Sequence, residues 1–161
     1  MQNKLLILQY EEYASDSELP AEAAVLLDKA REATANAYAP YSRFRVGAAA
    51  RLNNGQVITG SNQENASFPV GICAERVLLS AAASLFPGVP IESIAISYVN
   101  ERGPADRPIS PCGICRQSLQ EFETRTQQPI RLILGGQTGP VYVLSDTGSL
   151  LPLAFAAVDL V

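Results

Sequence analysis

Residues 44–62, FRVGAAARLNNGQVITGSN, decide the kind of fold that this chain adopts. Apolar residues alternate with other residues along the first half, a period of two that is typical of a β-strand: Phe44, Val46, Ala48, Ala50 and Leu52. Asn53 to Gly55 is a hairpin-turn sequence, and QVITGSN returns as a second strand. The stretch therefore predicts a β-hairpin.

Helical and strand patterns flank this hairpin on both sides. From Pro20, small apolar residues recur at intervals of three and four, which predicts a helix: Ala23, Leu26, Ala30, Ala33 and Ala37. Residues 73–85 and 113–125 predict two more helices, and IESIAISYV, IRLILGG and PVYVLSD predict three more strands. The short QTG link between the last two strands favours an antiparallel pair. The order αββαβαββ predicts an α/β domain with about five strands covered by helices.

The two ends of the chain are less clearly patterned. Residues 1–19 form an N-terminal extension in which KLLILQY could be a strand and EEYASDSEL is expected to be a solvated linker. Residues 20–161 are expected to form one domain, because a chain of 161 residues is long enough for one core. The final LLPLAFAAVDLV shows no clear secondary-structure pattern.

Composition excludes several classes of function. The net charge is −4 and the pI is about 4.8, whereas proteins that bind nucleic acid are normally basic. No apolar run approaches the ~18 residues that a membrane span needs, and the N-terminus lacks a secretory cleavage pattern. Three cysteines, an odd number, favour reduced thiols over a disulfide framework. We therefore expect a cytoplasmic protein that binds neither nucleic acid nor membrane.

The cysteines lie at the starts of two predicted helices. Cys73 begins one, and Cys112 and Cys115, in SPCGICRQ, begin the other. A helix N-terminus carries unpaired N–H groups and partial positive charge, which favour the thiolate that binds metal. Histidine is absent, so the chain offers three thiolates and no obvious fourth ligand. Three protein ligands with one open position are typical of catalytic zinc, and the open position would hold water.

Two charged residues lie two and three positions after Cys73. Glu75 is the natural proton carrier beside such a metal, because a shielded carboxyl can act as general base and then as general acid. Three thiolates and Zn²⁺ sum to −1, so we expect Arg76 to offset this charge by donating hydrogen bonds to cysteine sulfur. Spacing alone leaves other interpretations open: a structural metal site, a redox pair, buried cysteines, or a solvated Glu75.

CAER at residues 73–76 and SPCGICRQ at residues 110–117 together resemble the small homotetrameric cytidine deaminases. The pair matches the H-x-E…P-C-x-x-C signature already described for zinc deaminases, in the form with cysteine as first ligand. AYAPYSRFRVGAA, GSNQENASFPVGICAER and LLPLAF extend the resemblance from about residue 30 to residue 160. It implies a three-layer α-β-α sandwich around a five-stranded mixed sheet, one Zn²⁺ per subunit, and a homotetramer with shared active sites.

The resemblance also implies a role for individual residues. Cys73, Cys112 and Cys115 would bind zinc, and Glu75 would carry protons. Asn62 and Glu64 would bind the ribose hydroxyl, Phe44 would pack against the base, and the backbone around Ala74 and Ser110 would bind its amide edge. Phe155 would reach the pocket of a neighbouring subunit. Two positions depart from the family: Phe68 replaces a tyrosine that contacts across the subunit boundary, and Ile114 replaces an alanine.

The reaction implied is zinc-dependent hydrolysis of cytidine or deoxycytidine to uridine or deoxyuridine and ammonia, in pyrimidine salvage. Attack of water at C4 would give a tetrahedral intermediate, and rate would come from binding that species more tightly than the planar base. Two alternatives stay open. One is deamination of a modified cytosine nucleoside, against which NQEN at residues 62–65 favours an ordinary ribose. The other is a zinc protein without catalysis, which leaves Glu75 without a role.

Overall fold

The computed structural model of the chain describes residues 1–160, and residue 161 of the expected domain lies outside them. The order of the longer elements is βαββαβαββ. Their bounds are β1 Glu11–Tyr13, α1 Ala21–Ala33, β2 Phe44–Leu52, β3 Val57–Ser61, α2 Ala74–Leu85, β4 Ile91–Asn100, α3 Gly113–Thr126, β5 Arg131–Gly135 and β6 Val141–Leu144. Short 3-10 turns cover Asp16–Glu18, Thr34–Asn36, Phe68–Val70, Gly148–Leu150 and Ala157–Leu160.

The strands form one mixed sheet in the order β1-β6-β5-β4-β2-β3. β4 and β5 are parallel because α3 crosses over between them, and the other neighbouring pairs are antiparallel. The hairpin predicted from residues 44–62 is present as β2 and β3, and the predicted antiparallel pairing of β5 with β6 is confirmed.

The expectation of five strands was one too low. The sixth strand is β1, in the segment expected to be a solvated linker, while residues 4–10 form no strand. Its residues Glu11, Glu12 and Tyr13 pair antiparallel with Val143, Tyr142 and Val141 of β6. The partner strand lies about 130 positions further along the chain, so no local pattern in EEY announces the pairing.

Helices cover both faces of the sheet, which confirms the three-layer α-β-α sandwich. α1 packs on one face through Leu26, Leu27 and Ala30, and α2 and α3 pack on the other through Leu78 and Leu119. Two glycines of the hairpin let helices approach closely. A Cβ at Gly47 would overlap the carbonyl oxygen of Ala30 in α1, and one at Gly60 would overlap that of Ala74 in α2.

The helices α1, α2 and α3 are 13, 12 and 14 residues long. Within residues 1–160, none combines the length and the apolar character that crossing a bilayer requires.

Candidate metal and substrate site

Two helix starts meet on the face of the sheet that α2 and α3 cover. Cys73 is the N-cap of α2 and Cys112 is the N-cap of α3, so both precede the unpaired N–H groups of a first turn. Cys115 lies one turn into α3 and is fully buried, while Cys112 is exposed. The placement of all three cysteines at helix starts is thus confirmed.

The three sulfur atoms are close enough to share one metal ion. Cys73 Sγ lies 3.9 Å from Cys112 Sγ, and Cys112 Sγ lies 3.5 Å from Cys115 Sγ. All three lie within 4.8 Å of one another. Tetrahedral zinc with Zn–S bonds of about 2.3 Å holds its sulfur ligands about 3.8 Å apart. The trio therefore fits zinc, and it is the one group of three or more potential ligands within the described chain.

Proton sharing links the thiols. A hydrogen bond with Cys115 lowers the pKa of Cys73 to about 6, although burial opposes the change. The same hydrogen bond and burial raise the pKa of Cys115. Cys73 therefore loses its proton more readily than Cys115, and a metal bound among the sulfurs would displace the proton that Cys115 holds.

Glu75 is the buried acid of the site. It lies in the first turn of α2, two residues after Cys73, and only 5% of its surface is exposed. Burial raises the pKa of its carboxyl, because removal from water penalises the charged form. A carboxyl with a raised pKa can both accept and return a proton near neutral pH.

A cavity of about 180 Å³ joins this acid to the cysteines. Its walls come from β2, the loop after β3, the start of α2, β4 and the loop before α3: Val46, Asn62, Cys73, Ala74, Glu75, Ile96, Ile109, Ser110 and Cys112. Ala74 is fully buried and is the first residue of α2. In this cavity Ala74 and Ser110 lie beside Glu75, Cys73 and Cys112. The cavity has the size of a compartment for a base.

A wider cleft of about 510 Å³ shares Asn62 and Cys73 with that cavity. Glu64, Phe68, Tyr41 and Ser42 also line it. The two spaces therefore run from an open mouth to a buried acid, a shape that suits a molecule with a polar outer part and a planar inner part.

Glu64 is held as an anion at the mouth. Its Oε2 accepts hydrogen bonds from the backbone N–H groups of Tyr41 (2.9 Å) and Ser42 (3.2 Å). Burial raises the pKa of this carboxyl, but the hydrogen bonds from the Ser42 side chain and from both amides outweigh it and hold the pKa below the usual range. A fixed carboxylate of this kind accepts strong bonds from hydroxyl groups.

Asn62 lies where the cleft meets the cavity and is bound to the adjacent strand. Its Oδ1 accepts a hydrogen bond from Val46 N–H at 2.8 Å, and its Nδ2 donates to Phe44 O at 3.0 Å. An amide has one further donor and one further lone pair, which stay available to a ligand.

Phe44 faces the same side of β2 as Val46 and stacks on Tyr98 of β4, with ring centroids 4.9 Å apart. It does not line either space, so its predicted contact with a base stays a prediction.

Three other predicted residues lie further out. Phe68 is 74% exposed at the cleft and packs edge-on against Tyr41. Phe155 is 59% exposed and lines neither space, and its carbonyl accepts a hydrogen bond from Gln117. Arg76 lines a separate groove between α2 and α3, and no hydrogen bond joins it to a cysteine sulfur within residues 1–160. Its positive charge still lowers the pKa of Cys73, behind the larger effects of Cys115 and burial.

Sequence reasoning placed the positive charge of Arg116 beside the metal ligands, but it missed the contacts that hold these groups in place. Arg116 donates from Nε to Pro111 O (2.9 Å) and from Nη1 to Leu150 O (3.0 Å), so it ties the loop of Cys112 to the C-terminal segment. Ser42 and Tyr98 support Glu64 and Phe44. Only YSRF, directly before β2, offered a signal, since Tyr41 and Ser42 lie beside Phe44 in the sequence.

Comparison with known proteins identifies relatives of this arrangement. Residues 21–128 match the family model described as the cytidine and deoxycytidylate deaminase zinc-binding region. A cytidine deaminase of Halalkalibacterium halodurans is 38% identical over 136 residues, which cover 84% of this chain and 96% of the relative. One of Mycobacterium tuberculosis is 37% identical over 139 residues, which cover 84% of this chain and 91% of the relative.

Solved structures agree with the sequence matches. The crystal structure of a cytidine deaminase from Burkholderia pseudomallei superposes with a TM-score of 0.71 and 37% identity, covering 85% of this chain and 100% of that one. The Mycobacterium tuberculosis structure superposes with a TM-score of 0.65 and 30% identity, covering 85% and 99%. These matches span both cysteine-bearing helices and the whole central hairpin.

Proposed function

This chain belongs to the cytidine and deoxycytidylate deaminase family and hydrolyses cytidine to uridine and ammonia with zinc as cofactor, and we propose how its own residues divide that work. The observation that carries the proposal is the buried carboxyl of Glu75 in one small cavity with Cys73 and Cys112. A non-catalytic zinc protein has no need of such an acid.

Cys73, Cys112 and Cys115 would hold the metal, since their sulfurs have the spacing of a tetrahedral site. When bound, zinc activates a water molecule for attack at neutral pH. The two helix N-termini and the charge of Arg76 offset the negative charge of three thiolates. The position of the cysteines in the cavity wall would thus determine where the water molecule attacks the base.

Glu75 would carry the protons of the reaction. Its carboxylate would accept a proton from the attacking water and deliver it to N3 of the base. It would then take the proton of the new C4 hydroxyl group and deliver it to the 4-amino group as ammonia leaves. Burial supports both steps, because a raised pKa makes the carboxyl a better base when ionised and keeps it close to its protonated form. One residue thus serves several transfers.

The remaining contacts would position the nucleoside. Ala74 and Ser110 border the cavity where the amide edge of the base would lie. Phe44 stacks on Tyr98 on the same face of β2 as Val46 of the cavity wall, and from there it would pack against the base. Asn62 and the carboxylate of Glu64 would bind ribose hydroxyls at the mouth. A free base would leave Glu64 without this partner, so the site favours nucleosides over bases.

We further propose a cytoplasmic homotetramer with shared sites. The exposed side chain of Phe155 lines neither the cavity nor the cleft of its own chain, which supports a contact with a neighbouring one. Phe68, exposed at the cleft without a phenol hydroxyl, would close the mouth through ring packing. Three free cysteines at the site support a reducing compartment.

A cytidine absorbance assay with metal analysis tests the function. We expect one zinc per chain, loss of activity on chelation, and recovery when zinc is returned. Glu75→Gln should retain zinc yet lose more than the ~10²–10⁴-fold typical of one acid–base group, because it removes several proton transfers. Glu121→Gln, an exposed acid on α3, is the matched control and should match the unmodified protein.

Two results would overturn the proposal. If the chain held zinc but turned over only a modified cytosine nucleoside, the substrate would be wrong. Activity that survived in Glu75→Gln at the level of Glu121→Gln would remove the acid from the reaction.

A further inference from the structure

The N-terminal arm, residues 4–10 (KLLILQY), exposes four consecutive large apolar side chains. The exposed fractions are 82% for Leu5, 67% for Leu6, 72% for Ile7 and 49% for Leu8. A run of this size in contact with water usually marks an interaction surface. The family match begins only at Ala21, so the deaminase site does not account for the arm.

The backbone of the arm is as open as its side chains. Residues 1–9 make no backbone hydrogen bond to any part of the described chain. The arm leads directly into β1, which is the edge strand of the sheet and pairs only with β6. An unpaired apolar segment that continues an open sheet edge is a template for pairing with another strand.

The arm and β1 together carry complementary groups at symmetric positions. Side chains of a strand alternate between faces, so one face carries Lys4, Leu6, Leu8, Tyr10 and Glu12. A positive charge begins this series, a negative charge ends it, and apolar residues lie between. Neither Lys4 nor Glu12 forms an ion pair within residues 1–160.

We propose that the N-terminal arm pairs with the same arm of a second copy of this chain, antiparallel about a two-fold axis through Leu8. Lys4 then lies opposite Glu12 of the partner subunit, and Leu6 lies opposite Tyr10 of the partner subunit. Each contact occurs twice, and the two Leu8 side chains meet at the axis. Opposite charges and apolar pairs facing across antiparallel strands stabilise a sheet.

Charge selects this register over its neighbours. Symmetry and the alternation of faces allow only registers that differ by two positions. One neighbouring register places Lys4 opposite Tyr10, and the other places Glu12 opposite Leu6. Both leave Lys4 and Glu12 without a charged partner, whereas the register about Leu8 pairs them with each other.

The proposed pairing also extends an apolar surface that already exists. The ring of Tyr10 lies 4.7 Å from the ring of Tyr142 on β6, next to Glu12 in the ladder. Leu6 of the second arm would pack on Tyr10 beside this aromatic pair. The open edge of each sheet would then be covered, and two sheets would become continuous.

Disulfide trapping in the full, zinc-loaded chain tests the register. In Leu8→Cys the two thiols would face each other with Cα atoms about 4.5–5.5 Å apart, within reach of a disulfide. We expect most chains to run as covalent dimers on a non-reducing gel after mild oxidation. In Leu5→Cys the thiols would lie about 20 Å apart along the strands, so dimers should stay at the background of the unmodified protein.

Charge reversal provides the second arm of the test. Lys4→Glu in the Leu8→Cys background should reduce the covalent dimer several-fold, and adding Glu12→Lys should restore it. Equal trapping of Leu5→Cys and Leu8→Cys would show colliding mobile arms and overturn the proposal. So would a Leu8→Cys chain that stays monomeric on the gel while its arm resists protease, since the arm would then pack on another surface.

Discussion

The starts of α2 and α3 carry the same type of ligand in opposite surroundings. α2 begins inside the protein, where Ala74 is fully buried and Glu75 is nearly so. α3 begins at the surface, where Cys112 and Ile114 are exposed and only Cys115 is buried. Both starts contribute sulfur to the metal site, but only the buried start carries the acid.

The difference has a physical basis in the contacts beneath each helix. Gly60 of β3 lets the first turn of α2 lie against the sheet, which removes Glu75 from water. The start of α3 is more open, since a Cβ at Gly113 would meet no other atom within 4 Å. Side-chain hydrogen bonds from Arg116 hold that start instead. Proton transfer needs the burial, whereas metal binding needs only the position.

Removal of a sulfur ligand from α3 should have the largest effect. It should also separate the role of these cysteines in zinc binding from their role in the stability of the zinc-free protein. Cys115→Ser and Cys112→Ser should each weaken zinc binding by more than the ~10–100-fold that follows loss of a partner outside the ligand set. Cys115→Ser should also lower the melting temperature of the zinc-free protein, because its hydroxyl is buried. Metal analysis and melting with chelator measure both effects. Equal melting temperatures for the two zinc-free variants would contradict the difference in burial between Cys115 and Cys112.

Alanine at the two glycines should sharpen the comparison of contacts. Gly60→Ala forces a methyl group against the backbone of α2 and should cost about 1–3 kcal/mol of unfolding free energy. Gly113→Ala, the matched control, fills open space at the start of α3 and should be neutral or stabilise by up to about 1 kcal/mol. Denaturant unfolding of the zinc-free proteins distinguishes them, and a similar loss in both would contradict the explanation.

Arg116→Ala should loosen the start of α3 while leaving α2 in place. Loss of its two hydrogen bonds should weaken zinc binding by about tenfold, as for other partners that orient ligands from outside the ligand set. Chelator competition measures the affinity, and Arg116→Lys should recover part of it. We expect the zinc-saturated variant to keep most of its activity, because Glu75 is untouched. If Arg116→Ala left zinc affinity unchanged, these two hydrogen bonds would not be what holds the start of α3 in place.

Ile114→Ala should have the smallest effect. The side chain is 64% exposed, so its loss should change stability by no more than about 0.5 kcal/mol and leave zinc content unchanged. Leu119→Ala on the same helix, fully buried, should cost about 2–5 kcal/mol and serves as the contrast. A large effect at Ile114 would instead indicate that another chain covers it.

Local patterns predicted the parts of the fold that depend on neighbours in sequence. The alternation in residues 44–62 yields β2 and β3, and the cysteine positions mark the beginnings of α2 and α3. The pairing of C-A-E with P-C-x-x-C predicted a metal cluster only together with the family resemblance, and the structure brings the three sulfurs together because each half comes from a single helix start. The pattern of neighbouring residues was sufficient to predict the structure wherever a single helix start or hairpin determined the positions of the residues.

Contacts between distant segments escaped sequence analysis. β1 has only three residues, two of them acidic, and it forms because β6 offers an edge. Glu64 is fixed by amides more than twenty positions earlier, and Arg116 reaches a carbonyl thirty-four positions later. Bonds from side chain to distant backbone have no periodic signal, since only the folded chain brings their partners together.

Asn62, which lines both the cleft and the cavity, has a property that matters for engineering. Its side-chain amide has a structural role in the sheet, because it forms hydrogen bonds with the backbone of both Phe44 and Val46 in β2. A substitution at this position that is chosen to alter sugar preference would also remove the two hydrogen bonds that hold the first residues of β2. Redesign of selectivity should therefore start at Phe68, whose ring is mostly exposed and contacts the ring of Tyr41 edge-on, and not at Asn62.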